Sequence, residues 1–533
     1  CVESNGHSIS YGRMDQWLYP YYEADKSITK EFALELLEVE YVKLNNPTKL
    51  KDRGSMALRN GRGFGGESLT IGGVKRDGTD ATNDLTMMML EASAHTRMMN
   101  PWVCVRTPEE LRVKAVECIR AGYGHPKLFN DGPAIKGMMR KGMTLEEARD
   151  YCVVGCVEIS LPGKEYGWHD AAYVNTAKMM EMVLNGGRCI DCGPHCPRWS
   201  QCGALGKHLG PDTGSLDRYA SFNEVKKSVD TQFEYWTNQM CSSLCVIENA
   251  HRALKPLPYV SALFEDCMES GHDLTEGGAK YNGIGPQASG MATCADSLAA
   301  IKQLVFDEKR CTGAELLEAV KHNWKGYEKL YALVNSSKVH HYGNDDDYAD
   351  ELFKFMFETY CKHIAGRKTP RGGIFSPGVY SVNANVAMGL NTNASVDGRK
   401  AGEAISDNMG PVHTDFGSHD INGPTAIVNS LVGDIINPLI GLFFNADFSE
   451  VGIHVGDVMI GIGAFITAII NFLIVAFVLF VVIKTINSLH KKPAEPEAPA
   501  EPTTKVCPYC QSEISIKAVR CPHCTSKLEG FPE

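Results

Sequence analysis

Apolar residues recur at helical spacing through most of the first 390 positions. In Ile28-Thr-Lys-Glu-Phe-Ala-Leu-Glu-Leu-Leu-Glu-Val-Glu-Tyr-Val-Lys43 they alternate with charges in the rhythm of an amphipathic helix. The same rhythm predicts helices over 108–121, 144–151, 174–185, 223–247, 295–307, 313–324 and 347–363. Asp80-Ala-Thr-Asn-Asp-Leu85 opens another, rich in methionine and leucine. Short apolar runs lie between them. Trp102-Val-Cys-Val-Arg106 and Cys152-Val-Val-Gly-Cys-Val157 are too short for helices and read as buried strands or strand ends. Residues 60–80 are glycine-rich and read as loops between short strands. They lack the lysine and Ser/Thr of a phosphate-binding loop, and no GxGxxG opens a helix. Alternating helices and strands predict an α/β fold.

The pattern changes near residue 432. Ser430 to Phe444 is largely apolar, and Ile460 to Ile483 is an uncharged run whose one strongly polar member is Asn471. A helix of about 20 apolar residues spans a bilayer core, so Ile460–Ile483 predicts a single transmembrane helix. Lys484, Lys491 and Lys492 follow it and place its C-terminal side in the cytoplasm. Residues 493–505 form an extended Pro/Glu linker.

Composition adds limits. The 533 residues suffice for several domains, and a net charge of −11 with mixed signs argues against a nucleic-acid partner. The 19 cysteines, many of them single in apolar or helical context, fit reduced thiols in a reducing cytoplasm. The first residue is Cys1, with no signal peptide ahead of it, which fits a truncated chain.

Two cysteine groups carry candidate chemistry. Cys156 stands two residues before Glu158 in an apolar run. The pair reads as a thiolate with a nearby base, as a thiyl radical with Glu158 exchanging a proton, or as a buried structural cysteine. No local histidine supplies the partner that a thiol protease needs. Cys507-Pro-Tyr-Cys510 and Cys521-Pro-His-Cys524 form two CxxC knuckles, the spacing of a four-thiolate zinc ribbon over 506–528. Cys189, Cys192, Cys196 and Cys202 read as an iron–sulfur or zinc cluster or, since they lack a repeating ligand pair, more readily as reduced thiols in a Gly/Pro-rich loop. His125, His272, His340 and His341 read as ordinary polar or packed residues.

Residues 1 to about 430 resemble the glycyl radical enzymes, relatives of pyruvate formate-lyase, and within them the dehydratase and C–N or C–S lyase branch. The resemblance rests on Gly6-His-Ser-Ile-Ser10, Asp80-Ala-Thr-Asn83, Phe129-Asn-Asp131, Ala148-Arg-Asp-Tyr151, Gly155-Cys-Val-Glu158, Gly277-Gly-Ala-Lys-Tyr-Asn282, Asp397-Gly-Arg-Lys400 and Gly423-Pro-Thr-Ala426. It implies part of a ten-stranded α/β barrel with the Cys loop at its centre. It implies that Cys156 is the thiyl site and Glu158 the acid/base. Gly163-Lys-Glu-Tyr-Gly-Trp-His-Asp-Ala-Ala-Tyr173 resembles the diol dehydratase pocket, which makes Asp170 a contact for a substrate hydroxyl and His7 a second polar contact. The implied partners are a small diol, sulfonate or amino alcohol, a radical SAM activating enzyme and a second copy in a dimer. The implied cofactor is a glycyl radical. The family's Arg-Val-(Ser/Ala)-Gly-Tyr radical motif occurs nowhere in this sequence, and the family carries more residues ahead of its Cys loop. The expectation is therefore a barrel fragment without radical-lyase activity of its own, with open strand edges that leave it unstable alone.

Residues 430–492 resemble the large-conductance mechanosensitive channel, on Ser430-Leu-Val-Gly-Asp-Ile-Ile-Asn-Pro-Leu-Ile-Gly-Leu442, Ala446-Asp-Phe448, Asn471-Phe-Leu-Ile-Val-Ala-Phe477 and Ile483-Lys-Thr-Ile-Asn487. The resemblance implies a cell-membrane segment over 431–492, contact with membrane lipid, pentamers and a cytoplasmic tail. The channel's first, pore-lining helix has no counterpart before Ser430, so no tension-gated pore is expected from this chain. Ile427-Val-Asn-Ser-Leu-Val432 satisfies both families. A join within a short shared stretch predicts a chimera of two gene fragments, because natural fusions join whole domains through linkers.

Overall fold

A computed structural model describes residues 9–45, 66–106, 109–122, 125–190, 208–408, 410–430, 452–455, 458–461 and 504–528. The chain divides into two compact units, Cys1–Pro438 and Leu439–Glu533.

In the first unit, strands β1 (Ile9–Ser10), β2 (Glu67–Gly72), β3 (Trp102–Arg106) and β4 (Lys127–Phe129) pair in that order, all parallel. β2 is buried along its whole length, as expected of a parallel strand covered on both faces. Helices Lys30–Leu44 and Asp84–Thr96 pack here, sharing a core of Leu37, Tyr41, Leu69, Ile71, Met89, Val103 and Val105. The second helix starts where the sequence places its cap. The Asn83 side chain accepts from the Thr86 backbone, Thr86 Oγ1 bonds the Asn83 N–H in return, and Asn83 Nδ2 donates to the Asp15 carbonyl at 3.0 Å.

β5 (Cys152–Val154) and β6 (Glu158–Ser160) form an antiparallel hairpin whose turn is Gly155-Cys156-Val157. Gly155 has φ +62°, a conformation that costs glycine little and a side-chain residue more. The hairpin docks on β2 through side chains. Ser68 Oγ donates to the Val153 carbonyl at 2.8 Å, and Thr70 Oγ1 accepts from the Val153 N–H at 2.9 Å.

β7 (Glu165–Asn175) and β8 (Tyr281–Ser289) pair in parallel, and residues 374–378 run parallel along the far side of β8. Ser376 N donates to the Ile284 carbonyl at 2.8 Å and Ala288 N to the Gly378 carbonyl at 2.9 Å. The largest core surrounds these strands, with helices Thr176–Leu184, Phe222–Leu254, Met291–Ile301, Gly313–Lys321 and Asp347–Lys362 contributing to it.

The α/β expectation and the predicted helices hold, with shifted ends. The helix expected over 223–247 runs to Leu254, because its polar continuation still serves the fold: buried Glu248 pairs with buried Arg371. The helix expected over 295–307 begins at Met291 and widens into a π-helical stretch over Lys302–Asp307. Where the described residues of this unit end, Asn429 Nδ2 donates to Asp345 Oδ2 at 2.9 Å, and Asp345 N to Ser430 Oγ at 3.1 Å.

The transmembrane expectation receives no support. Among the described residues no helix is long and apolar enough to cross a membrane. Ile460 and Gly461 instead end a strand, Val458–Gly461, paired antiparallel with Gly452–Val455. The rest of Ile460–Ile483 lies outside the described residues.

Candidate functional site

The hairpin is fixed at its base by buried charge. Arg106, fully buried at the end of β3, grips Asp131 with two nitrogens at 2.8 and 2.9 Å and donates to the Tyr151 carbonyl at 3.0 Å. Its guanidinium lies 3.9 Å from the centre of the Tyr151 ring, whose hydroxyl donates to Asp131 at 2.9 Å. The motifs Phe129-Asn-Asp131 and Ala148-Arg-Asp-Tyr151 thus meet at one buried ion pair. Before the hairpin, helix Leu145–Arg149 is capped by Thr144 and Glu147. Glu147 also accepts from Lys280 Nζ at 2.6 Å and from the Tyr281 hydroxyl at 2.8 Å, which ties the hairpin's approach to the start of β8.

At the tip, the Cys156 carbonyl accepts from Lys127 Nζ at 3.0 Å, and that ammonium lies 3.8 Å from the centre of the Trp102 ring. Two further cysteines, Cys104 and Cys152, are buried near it. Burial pushes both thiols up to about 12, so they stay protonated at neutral pH. Cys156 is half-buried.

Glu158 begins β6 and meets two residues from elsewhere in the chain. Asp170 sits where the pairing of β7 with β8 slips between Trp168 and Ala172, an irregularity that re-aims side chains. The slip brings the His169 carbonyl against β8, where Gln287 Nε2 donates to it at 2.9 Å. Gly285 lies opposite because a Cβ there would stand 2.7 Å from that carbonyl oxygen. Tyr380 follows the strand-like run 374–378. Its hydroxyl bonds Asp170 Oδ1 at 2.6 Å and makes a short contact with Glu158 Oε1.

A phenol has one hydrogen to give. It can go to Glu158 or to Asp170 but not to both, so the two carboxyls compete for one donor. Burial, then the charge of Asp170, raises Glu158 to about 7, while the bonds from Tyr380 and the Val157 N–H act the other way. Burial and the two carboxylates push the Tyr380 phenol far above its ordinary value. A carboxyl that changes charge near neutrality suits general acid–base work. Glu158 and Asp170 line a cavity of about 740 Å³ together with Cys152, Trp168 and half-buried His169. Burial lowers His169 to about 4 and keeps it neutral. Cys156 is on the turn, outside that lining.

The structure thus brings Glu158 and Asp170 together and sets Cys156 two residues from Glu158. His7 lies outside the described residues. Tyr380 was missed in the sequence. Its signal, the short apolar run Ile374-Phe-Ser-Pro-Gly-Val-Tyr380, carries no motif that points to Glu158.

The second unit holds the other candidate. Cys507 and Cys524 sulfurs lie 3.7 Å apart, and those of Cys510 and Cys521 3.6 Å apart, too far for disulfides. A tetrahedral zinc with Zn–S bonds of about 2.3 Å sets its sulfurs about 3.8 Å apart, so the four fit such an ion. The two knuckles share one backbone design. Gln511 N bonds the Cys507 carbonyl and Thr525 N the Cys521 carbonyl, each at 2.9 Å, with Gln511 and Thr525 both at φ +61°. Of the loop cysteines, Cys189 bonds Lys178 Nζ at 2.8 Å, while Cys192, Cys196 and Cys202 lie outside the described residues.

The first unit is thus an α/β frame with a thiol on a hairpin tip, two residues from a carboxyl that meets a second carboxyl through Tyr380. The chain belongs to the pyruvate formate lyase-like family, whose model matches residues 1–389. It is 78% identical over 437 residues to the (2S)-3-sulfopropanediol dehydratase of Klebsiella oxytoca, covering 81% of this chain and 51% of that protein. It is 32% identical over 426 residues to the trans-4-hydroxy-L-proline dehydratase of Clostridioides difficile, covering 79% and 52%. Among solved structures, the glycerol-bound B12-independent glycerol dehydratase of Clostridium butyricum superposes with a TM-score of 0.75 at 38% identity, over 80% of this chain and 52% of that one. The chain therefore spans about half the length of the relatives it matches. Residues 423–517 match the large-conductance mechanosensitive channel model, so segments of two families are joined in one chain.

Proposed function

We propose that residues 1 to about 430 carry the thiol and acid–base part of a glycyl radical dehydratase acting on a small vicinal diol. The observation that carries this is the Glu158–Tyr380–Asp170 constellation, with Glu158 raised to about 7, two residues from Cys156. Identity to the Klebsiella oxytoca enzyme makes a sulfonated propanediol the first substrate to test, ahead of isethionate or choline. A glycyl radical installed by an activating enzyme would supply the unpaired electron for a thiyl at Cys156, the condition for the steps that follow. Cys156 Sγ takes hydrogen from the carbon bearing one hydroxyl. Asp170 and Tyr380 hold that hydroxyl, and Glu158 accepts its proton. The neighbouring hydroxyl then leaves as water with that proton, and Cys156 returns the hydrogen to the product, an aldehyde.

These 533 residues contain no Arg-Val-(Ser/Ala)-Gly-Tyr stretch, so the chain alone is expected to turn over no substrate even with its activating enzyme. The decisive test places residues 1–430 in the matching half of the Klebsiella oxytoca enzyme. The activated hybrid should dehydrate sulfopropanediol. Cys156→Ser should abolish this, and Glu158→Gln should lower it by about 10²–10⁴-fold. An inactive but folded hybrid, or full activity with Cys156→Ser, would refute the assignment.

For the remainder, the channel-family match favours a second reading: residues 431–492 are a membrane-embedded segment, and Cys507, Cys510, Cys521 and Cys524 hold a structural zinc. If the full chain fails to sediment with membranes after alkaline extraction, the membrane assignment falls.

A further inference from the structure

Within the first unit, far along the chain from Glu158, three buried side chains converge: Asp296 on helix Met291–Ile301, His341 and His419. Asp296 Oδ2 lies 3.0 Å from His419 Nδ1 and 3.4 Å from His341 Nδ1. The other carboxylate oxygen is occupied by the Tyr342 N–H at 2.8 Å. The two imidazole rings are 3.9 Å apart, centre to centre.

Their hydrogen-bond partners fix what the nitrogens carry. Asn335 Nδ2 donates to the Tyr331 carbonyl at 2.9 Å, which orients the amide so that its oxygen faces His419 Nε2 at 3.2 Å. That oxygen also accepts from Thr414 Oγ1. His419 Nε2 must therefore bear the hydrogen, and a neutral His419 turns the lone pair of Nδ1 toward a carboxylate oxygen. A lone pair facing an anion at this distance is relieved by a proton on Nδ1 or by a cation held between the two groups. Neither ring nitrogen of His341 has a hydrogen-bond partner of good geometry, although His341 is 5% exposed. Two stacked imidazolium ions around one carboxylate would be costly to bury. One dication satisfies all three groups. A tetrahedral zinc with bonds of about 2.0–2.1 Å spaces its nitrogen and oxygen ligands about 3.3 Å apart, close to the separations here.

We propose that Asp296, His341 and His419 bind one divalent first-row transition ion, with an open coordination position toward solvent. His341 and His419 line a polar cavity of about 740 Å³ together with Asn344, Asp345, Asp346 and Asp347. These acidic groups attract a cation, and the cavity admits a water as fourth ligand. The Asn335 bond to His419 is the outer contact that holds a metal-bound imidazole in one tautomer. The inference is independent of the dehydratase reading and of the ribbon.

The test uses the full chain with Cys507→Ser, Cys510→Ser, Cys521→Ser and Cys524→Ser, which removes the ribbon's thiolates and leaves the first unit unchanged. Reconstituted anaerobically with Co(II), it should retain about one equivalent, with visible ligand-field bands and no thiolate charge-transfer band. Adding Asp296→Asn or His419→Ala should weaken retention by about 100-fold or more. Folded protein that retains no cobalt, or retention unmoved by both added substitutions, overturns the proposal. Should the added substitutions prevent folding, thermal melting of the ribbon-free chain decides. A rise in Tm on adding Zn(II), reversed by chelator, supports the site, and an unchanged Tm overturns it.

Discussion

The hairpin that presents Cys156 and the ribbon that presents four cysteines hold sulfur in opposite ways. Around Cys156 the frame exists without the sulfur. Arg106, Asp131, Ser68, Thr70 and Glu147 fix the hairpin through bonds in which Cys156 Sγ takes no part. In the ribbon the reverse holds. Its buried apolar contribution beyond the cysteines is Ile514 and Leu528, with Ala518 half-buried, far too little to order residues 504–528. There the sulfurs and their ion would make the fold. A cysteine carried on such a frame can be replaced without undoing the bonds named here, and one whose sulfur makes the frame cannot.

The comparison breaks most visibly at the ribbon. Metal removal by chelator, or Cys521→Ser, should unfold residues 504–528, since zinc supplies on the order of 10 kcal/mol to such modules. Amide exchange should show complete loss of protection there, with none in the first unit. Protection that survives chelation would mean the ribbon stands without metal. A second effect, smaller, sits at the acid–base pair. Glu158 is raised from 4.5 to about 7, so the stability tied to its neutral form is complete below pH 4.5 and is lost as pH rises through about 7. Glu158→Gln should remove that loss, so the variant gains in Tm over the parent chain as pH climbs through this window. A Tm difference independent of pH would contradict the raised carboxyl. Tyr380→Phe removes a bond that lowers Glu158, so the window should move to higher pH. The smallest effect should be that of Cys156→Ser on stability, within about 0.5 kcal/mol by denaturant titration. A large loss would mean that the hairpin leans on its sulfur after all.

Much of this was legible in the chain. Helical periodicity located Lys30–Leu44, Asp84–Thr96 and Asp347–Lys362, because each buries one face at regular spacing. Cys156, Glu158 and Asp170 stood in local motifs, and so did the ribbon knuckles. Tyr380 did not, because its place depends on residues 374–378 pairing with β8, a contact across nearly a hundred positions that leaves no local trace. His341 read as ordinary for the same reason. Its partners Asp296 and His419 are distant in sequence, and only folding shows that three common polar residues share one buried space. The π-helical stretch Lys302–Asp307 was equally hidden, since one extra residue per turn barely disturbs an apolar rhythm.

The bonds from Asn429 and Ser430 to Asp345 have a consequence for heredity. They are the last side-chain ties among the described residues of the first unit, and they fall inside the six residues that both families spell alike. A crossover anywhere in those codons preserves the ties whichever gene supplies the bases that follow. Selection on the fold of the first unit would not register such an exchange, because every residue placed in its pocket lies upstream of the breakpoint.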